Sequence, residues 1–384
     1  MTEASKQSSP LVFLASLGAG GIAVTPFAFL QYTHSHGPGL VRWADIMHGS
    51  IPFLHEVFFY GLEAIMIVFT LLHFILTVVF ARQLVAWMRT EGFREMLGNP
   101  LVNAGLLAPF ISIAMTMNVF IGPIRYFIPS FAENLQAFML SALVFWLMLW
   151  IALMYTEVAL LKISFMRGFD TAKISFGWLL HPFALGMMTV VGMGIAAMAK
   201  DPGVADTAVF FSLVSGSMGL FLLLVKLVVI FKSHFSAAEL PDRQFLPSFL
   251  IVIPNVTLYA ISAFRFGHYL EHAHGFHTEW FSWMAIVVSF AFEVWYMLFG
   301  LALLSGYFRR HFFRKEFYVT QWGLVCPIVA FAVLGSFAYS LFLDSGLMYA
   351  VIVATMLVSV ALFFVLLFRH YHCHFLRSGR IECR

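Results

Sequence analysis

The chain has 384 residues, of which 61% are hydrophobic and 11% charged, with 45 phenylalanines and a formal net charge of +3. This composition leaves too little polar surface to cover a water-soluble globule, and it excludes the strongly basic surface of a nucleic-acid-binding protein. It predicts an all-α polytopic membrane protein, because the apolar runs are long enough to cross the bilayer as helices and the alternation of a β-barrel is absent.

Apolar runs of about 20 or more residues, the length needed to cross the hydrocarbon core as a helix, follow one another along the chain. We predict ten spans, at Leu11–Tyr32, Glu56–Phe80, Pro100–Gly122, Phe131–Leu160, Ile174–Met198, Thr207–Phe231, Leu246–Gly267, Trp280–Gly306, Tyr318–Leu343 and Leu347–Arg369. We assign residues 1–384 to a single transmembrane domain, with an N-terminal tail at 1–10 and a C-terminal tail at 370–384.

Lysine and arginine residues are distributed unequally between the two sides of the predicted spans. The two tails and the loops after the second, fourth, sixth and eighth spans hold 17 of the 22 Lys and Arg residues. Because short cytoplasmic loops are enriched in these residues, both termini are predicted to be cytoplasmic. We expect a multi-pass protein of the inner or plasma membrane.

The odd-numbered spans contain prolines and the even-numbered spans contain none. Pro109, Pro182, Pro254 and Pro327 recur at intervals of 73, 72 and 73 residues, whereas Pro26 in the first span is out of register. A constant interval indicates an internal repeat of one helical hairpin. Helix breakers are tolerated where neighbouring helices or a water-filled cavity can satisfy the freed carbonyls. We therefore predict five helical hairpins, with bent odd helices in an inner ring around a pore.

The inner ring is predicted to be weakly polar. Within the predicted boundaries the odd spans contain no Asp or Glu, and Arg265 is their only Lys or Arg. A cation pathway would ordinarily display carboxylates, whereas this lining suits anions that pass without strong binding. We assign to the pore and its kinks the prolines and their neighbours: Pro26, Phe27, Pro109, Phe110, His181, Pro182, Phe183, Pro254, Asn255, Cys326 and Pro327.

Several histidines leave alternatives open. His181 either caps a carbonyl freed by Pro182 or, when protonated, raises the local anion occupancy. A group near the outer end of the seventh span lies in a solvated loop, senses pH or binds a transition metal; its members are His268, His272, His274 and His277. A haem- or metal-binding redox protein is an alternative of another class, because His73 and His181 lie within spans and could ligate a single haem.

Four segments of the chain resemble one family of membrane proteins. They are FLASLGAGGIAV, HPFALGMMTVVGMG, SHFSAAELPDRQFLPSFLIVIPNVTLYAISAF and FYVTQWGLVCPIVAFAVLGSFAY. They are similar to segments of the slow-type anion channels of plants and of the related bacterial tellurite-resistance and fungal dicarboxylate and sulfite transporters. The resemblance covers nearly the whole chain in the same order. It implies ten helices in five hairpins and a homotrimer with a separate pore in each subunit.

The resemblance also implies a gate on the ninth span. In that family a phenylalanine just before a mid-helix proline or glycine plugs the pore, whereas this chain has Cys326 at the matching position. Phe331 and Phe337 lie further along the same helix, so the candidate gate residues are Cys326, Phe331 and Phe337. Either another aromatic residue closes the pore, or this protein is gated less tightly than its relatives.

Together these features predict an anion channel with a central pore in each subunit, no catalytic residues and no required cofactor. Its expected partners are small inorganic or organic anions, the lipid bilayer and further copies of the same chain, and nucleic acid is excluded. The alternative with the same fold is a secondary transporter or exporter of dicarboxylate, sulfite or tellurite-type oxyanions. A channel passes anions without dependence on a proton or sodium gradient, whereas a symporter requires one.

Overall fold

Ten long apolar helices make up most of the protein. The computed structural model describes residues 9–46, 52–237, 241–314, 316–373 and 382–383. Within these ranges ten helices are long and apolar enough to cross a membrane. We number them α1 (Pro10–Thr33), α2 (Phe53–Trp87), α3 (Asn103–Phe127), α4 (Leu135–Met166), α5 (Phe176–Met198), α6 (Pro202–Ser236), α7 (Leu246–His274), α8 (Glu279–Arg310), α9 (Val319–Leu341) and α10 (Gly346–Tyr371).

Short elements lie in the connections between these helices. Two short helices occupy Glu91–Gly98 and Pro129–Glu133. Single 3-10 turns lie at Trp43–Asp45, Thr171–Lys173 and Phe312–Arg314. Strands β1 (Glu316–Phe317) and β2 (Glu382–Cys383) pair in parallel, which joins the loop before α9 to the chain beyond α10.

The ten predicted spans are confirmed, and most helices extend beyond the apolar runs that revealed them. α2 and α6 each have 35 residues, because polar residues past an apolar run continue the helical hydrogen bonds after leaving the hydrocarbon. α1 begins at Pro10 and α10 ends at Tyr371, so both helices reach into the segments predicted as tails. Residues 1–8, 374–381 and 384 of those tails lie outside the described residues.

The odd and even helices form an inner and an outer layer. In the most apolar stretch of each helix, 56–100% of the residues are buried in the odd helices and 22–33% in the even helices. Around the inner layer α1 packs on α3, α3 on α5, α5 on α7 and α7 on α9, and α9 returns to α1 and closes the ring. The alternation of proline-containing and proline-free spans thus predicted the two layers correctly.

Every inner helix begins with a 3-10 turn before it becomes α-helical. The turns are Pro10–Val12, Asn103–Leu107, Phe176–Leu179, Leu246–Ile251 and Val319–Leu324. The α-helical parts then start at Phe13, Ala108, Leu180, Val252 and Val325. The five outer helices begin directly with α-helical residues. The shared 3-10 start is the structural counterpart of the repeat in the sequence.

The periodic prolines lie where the 3-10 turn changes to α-helix. Pro109 is the second residue of its α-helical part, and the other three repeat prolines are the third. The hydrogen-bonding pattern changes there, so the N–H that proline lacks is not needed. The irregularity predicted for the inner helices is therefore present, but it lies near the start of the α-helical part. Pro26 lies inside α1, where the third α-helical residue is Ala15, and this explains why Pro26 is out of register.

The absence of a side chain at Gly192 in α5 lets the two layers pack closely. A Cβ atom at this position would overlap Trp146 Cζ2 of α4 and Ser212 Oγ of α6. Both neighbours are fully buried, and Trp146 is also held by a hydrogen bond of 3.0 Å from its Nε1 to the carbonyl of Met188. An added methyl group at Gly192 would therefore have to displace two buried side chains.

We expect Gly192→Ala to lower the free energy of unfolding by about 1–3 kcal/mol, because the added methyl group overpacks this junction. The thermal unfolding of purified protein, followed by circular dichroism, measures the change. Gly61→Ala in α2 is the matched control, since a Cβ there meets no atom within 4 Å. The control should be as stable as the wild type or slightly more stable. Equal melting temperatures for Gly192→Ala and the wild type would contradict the prediction.

Candidate functional site

A cavity of about 630 Å³ lies inside the ring of odd helices. Its wall consists of residues from α1, α3, α5, α7 and α9 together with Gly39 and Leu40 of the loop after α1. Along α7 the wall extends from Pro254 to His272. At a rise of about 1.5 Å per residue this distance is about 27 Å, close to the thickness of the hydrocarbon core of about 30 Å. The cavity therefore extends across most of the depth of the bilayer.

One end of the cavity coincides with the start of the α-helical parts. Phe183, Pro254 and Cys326 line this end, and each lies within the first turn after a 3-10 turn. None of the residues in the five described 3-10 turns belongs to the cavity wall. Leu179 and Trp322 of those turns are fully buried. The 3-10 turns thus fill the ring beyond the cavity and close this end.

The loop after α1 forms the rim at the other end of the cavity. Gln31 holds it from α1, because its Nε2 donates to the carbonyl of Gly39 at 3.2 Å and its Oε1 accepts from the N–H of Val41 at 2.7 Å. Arg125 of α3 donates to the carbonyls of Leu40 and Val41 at 3.0 and 3.2 Å. Gly39 has φ +97°, a conformation that favours glycine. These contacts fix the shape of the rim.

The cavity wall contains one fixed charge. Arg265 is its only Lys or Arg, and no Asp or Glu belongs to the described wall. The observed α3 and α7 are longer than predicted, so Arg125 and Glu271 are also part of inner helices, but neither lines the cavity. Most of the wall is aliphatic or aromatic, with a few neutral polar groups such as Asn118 and Thr257. The wall has the electrostatic character that the sequence predicted for an anion pathway.

The residues predicted for the pore divide into two groups. Those in the cavity wall are Phe27, Phe183, Pro254, Cys326 and Phe337. Those outside it are Pro26, Pro109, Phe110, His181, Pro182, Asn255, Pro327 and Phe331. Phe331 packs instead on Phe290 of α8, with ring centroids 5.1 Å apart. The division follows from helix geometry, since consecutive residues point to different sides and a proline and its neighbour do not both face the cavity.

His181 lies behind the wall in a buried cluster formed by α4, α5 and α6. Its Nδ1 is hydrogen-bonded to Oε2 of Glu157 at 2.6 Å, and both side chains are fully buried. Lys226 of α6 donates from Nζ to the carbonyl of Trp178 at 3.2 Å and lies 4.3 Å from the centroid of its ring. The sequence pattern assigns His181 to the lining. The structure corrects that assignment, because the carboxylate of Glu157 draws the imidazole away from the cavity.

The histidines at the end of α7 do not form a set of metal ligands. His268 and His272 both line the cavity, and their rings stack at 6.4 Å. His274 is instead hydrogen-bonded to the hydroxyl of Tyr269 at 3.2 Å, and His277 is exposed. In the part of the chain that the structure describes, no three His, Cys, Asp or Glu residues converge as metal ligands. The metal-site alternative has no support in this geometry.

His73 of α2 has no ring nitrogen available for haem. Its Nδ1 is hydrogen-bonded to the carbonyl of Ser16 at 2.8 Å, and its Nε2 to the hydroxyl of Thr116 at 2.9 Å. Both partners belong to inner helices, so the imidazole ties α2 to α1 and α3. The contacts indicate a packing role for His73 and give no support to its role as a haem ligand.

Most wall residues were missed by sequence reasoning, because aliphatic side chains give no chemical signal. On α5 the wall includes Phe183, Met187, Val190 and Gly194, spaced by three or four residues. This spacing places them on one face of the helix. Helical periodicity counted from Phe183 could have found this face.

A buried carboxyl group lies directly behind the wall. Glu293 of α8 is fully buried and accepts a hydrogen bond of 2.5 Å from the hydroxyl of the wall residue Thr257.

The comparison with known protein families gives a match over almost the entire chain. The sequence model described as voltage-dependent anion channel (SLAC1) matches residues 7–371. This range contains all ten helices and every residue of the cavity wall. Among curated proteins, no sequence matches the chain.

Proposed function

Since the chain belongs to the voltage-dependent anion channel family, we propose that it is a channel and that small inorganic or organic anions pass through the cavity in each subunit. Members of this family are channels and transporters of the membrane, not enzymes. The observation that carries the proposal is the composition of the wall. It comes from the inner helices and the rim loop, and it contains one guanidinium and no carboxylate.

This wall favours anions over cations for an electrostatic reason. A carboxylate in a pathway of low dielectric attracts cations and repels anions, whereas a guanidinium does the reverse. The remaining wall is largely apolar, so an anion is not held by many strong contacts. Weak binding along a long cavity permits rapid exit, as a channel requires.

The test is the anion current of purified protein in planar bilayers. We expect the reversal potential to follow an imposed gradient of chloride or nitrate, with no requirement for a proton or sodium gradient. Flux that depends on such a gradient would instead identify coupled transport of a dicarboxylate, sulfite or tellurite-type oxyanion. The absence of both current and electroneutral anion uptake would overturn both transport functions.

Cys326→Phe is expected to reduce the anion current by about fivefold, a difference of about 1 kcal/mol in the barrier. Cys326 lines the closed end of the cavity, and a phenylalanine there would place a larger side chain in that end. Single-channel recording in bilayers measures the effect. Cys326→Ser, which changes the volume little, is the control and should conduct like the wild type. An unchanged current through Cys326→Phe would place the pathway elsewhere.

We also propose that both termini are cytoplasmic and that the protein belongs to the inner or plasma membrane. The support is the excess of Lys and Arg on the side that carries the tails. Accessibility of single engineered cysteines to a membrane-impermeant thiol reagent, in intact cells and in inverted vesicles, tests the orientation. Labelling of the loop after α2 in intact cells would contradict it.

The assembly proposed here is a homotrimer in which each subunit keeps its own cavity. The support is the resemblance to the family, together with the complete ring of inner helices, which encloses the cavity without a second chain. The mass of the protein in detergent, measured by light scattering with the detergent contribution subtracted, tests the number of subunits. A mass of one or two chains would overturn the trimer and leave the channel function untouched.

A further inference from the structure

Arg265 of α7 packs against α5 and lines the half of the cavity nearer the rim. Its Nη1 donates to the carbonyl of Val190 at 2.6 Å. One turn further along α5, a Cβ atom at Gly194 would lie 2.9 Å from the same nitrogen, so the glycine leaves the space that the guanidinium occupies. The hydrogen bond and the adjacent glycine fix the position of the guanidinium in the wall.

The guanidinium has no carboxylate partner in the described protein. It takes part in none of the salt bridges between described residues. Its Nε and Nη2 make no hydrogen bond to described residues. They are also not among the buried nitrogens that lack a hydrogen-bond partner, so both are accessible from outside the packed protein. They are therefore open to the cavity. A cation inside a membrane-spanning segment is costly unless it is paired, and the cavity leaves an anion from solution as the available partner.

The surroundings of Arg265 strengthen this attraction. Tyr32, Phe264 and Phe337 form an aromatic cluster in the same wall, with ring centroids of Tyr32 and Phe337 3.9 Å apart and those of Phe264 and Phe337 5.2 Å apart. Aromatic walls exclude water, and a charge acts more strongly where water is excluded. His268 lies one turn beyond Phe264 and His272 one turn further, both at the rim. Nδ1 of His268 faces Oε2 of Glu271 at 3.7 Å, so Nε2 is the nitrogen that His268 can turn toward an anion.

We propose that Arg265 is the specificity-determining residue of an anion-binding site that takes carboxylates and inorganic oxyanions in preference to halides. This inference rests on the proposed function and names the substrate class of the same cavity. With Nη1 engaged by Val190, the Nε and Nη2 edge remains. Two N–H groups on one edge match two oxygens of a carboxylate or of an oxyanion, whereas a spherical halide cannot use both in the same way.

The test measures binding separately from conduction. Stabilisation of the purified protein against heat, as a function of ligand concentration, gives apparent affinities for succinate, sulfite and chloride. We expect the wild type to bind succinate or sulfite at least about tenfold more tightly than chloride. Binding of one oxyanion and not the other supports the site and identifies the ligand. Equal affinities for all three anions would overturn the preference.

Two variants of Arg265 distinguish the shape of the guanidinium from its charge. Arg265→Lys keeps the positive charge but loses the two parallel N–H groups. We therefore expect this variant to bind oxyanions only as tightly as chloride and to retain the chloride affinity of the wild type. Arg265→Gln should lose all three anions. Arg82→Gln, at an exposed arginine of α2, is the control and should bind as the wild type does. Wild-type affinities in Arg265→Gln would overturn the proposal. If that variant does not fold, Arg265→Lys and the wild type still decide it.

Bilayer currents separate a failure of this site from a failure of the channel function. Arg265→Gln that conducts with the anion selectivity of the wild type would overturn the site and leave the channel intact. The absence of any anion current through the wild type would overturn the proposed function, whatever the binding measurements show.

Discussion

Replacing Phe183 with alanine is expected to raise the anion conductance by about a hundredfold, equivalent to removing about 2.7 kcal/mol from the barrier. Phe183 is the fourth residue in the α-helical part of α5, and its ring lines the end of the cavity that the 3-10 turns close. The side chain is 2% exposed, so the ring is tightly packed at this end. The resemblance described above implies a closing phenylalanine at the position of Cys326, and Phe183 supplies an aromatic ring at the same end of the cavity.

The measurement is single-channel recording of Phe183→Ala and of the wild type under one anion gradient. Phe331→Ala is the matched control, because Phe331 is also a buried phenylalanine and packs on Phe290 outside the cavity. We expect no gain in conductance from the control. A wild-type conductance in Phe183→Ala would show that this ring does not close the pathway, and a gain in both variants would indicate general loosening of the inner ring.

Glu157→Ala is expected to lower the free energy of unfolding by about 3–5 kcal/mol, the cost of removing one partner from a buried charged cluster. Among the described residues the carboxylate accepts the one hydrogen bond of the His181 side chain, and Lys226 lies in the same buried cluster. All three side chains are buried, with 2% exposure at Lys226 and none at the others. Without Glu157 the buried imidazole loses its hydrogen-bond partner, and the cluster loses its carboxylate. Thermal unfolding in detergent measures the loss.

Two variants control this prediction. Glu157→Gln should cost less, because its amide oxygen still accepts a hydrogen bond from Nδ1 of His181 and only the charge is lost. Glu91→Ala removes a carboxylate from the exposed pair with Arg94, where both side chains are 74% exposed, and should leave the stability nearly unchanged. A melting temperature of Glu157→Ala equal to that of the wild type would show that the cluster does not stabilise the fold.

The sequence by itself determined the membrane-spanning class, the ten helices, their two layers and the family. These features follow from local properties. An apolar run of sufficient length has to satisfy its backbone hydrogen bonds internally, so it forms a helix in the bilayer. A proline at a constant interval marks a repeated unit, and helices that carry such breaks avoid lipid. Within their predicted bounds the odd spans contain Arg265 and no Asp or Glu. The electrostatic character of the inner ring could therefore be predicted before any contact was known.

Only the tertiary structure decided which residues of the inner helices face the cavity. Phe183 faces it and His181, two positions earlier, points to the other side of the helix, because the orientation of α5 is set by Glu157 on α4 and by close packing at Gly192. The free edge of Arg265 likewise depends on Val190 and Gly194, which lie more than 70 positions earlier in the chain. Helix length and burial depend on the local pattern of residues, whereas the direction in which a side chain points depends on packing between distant segments.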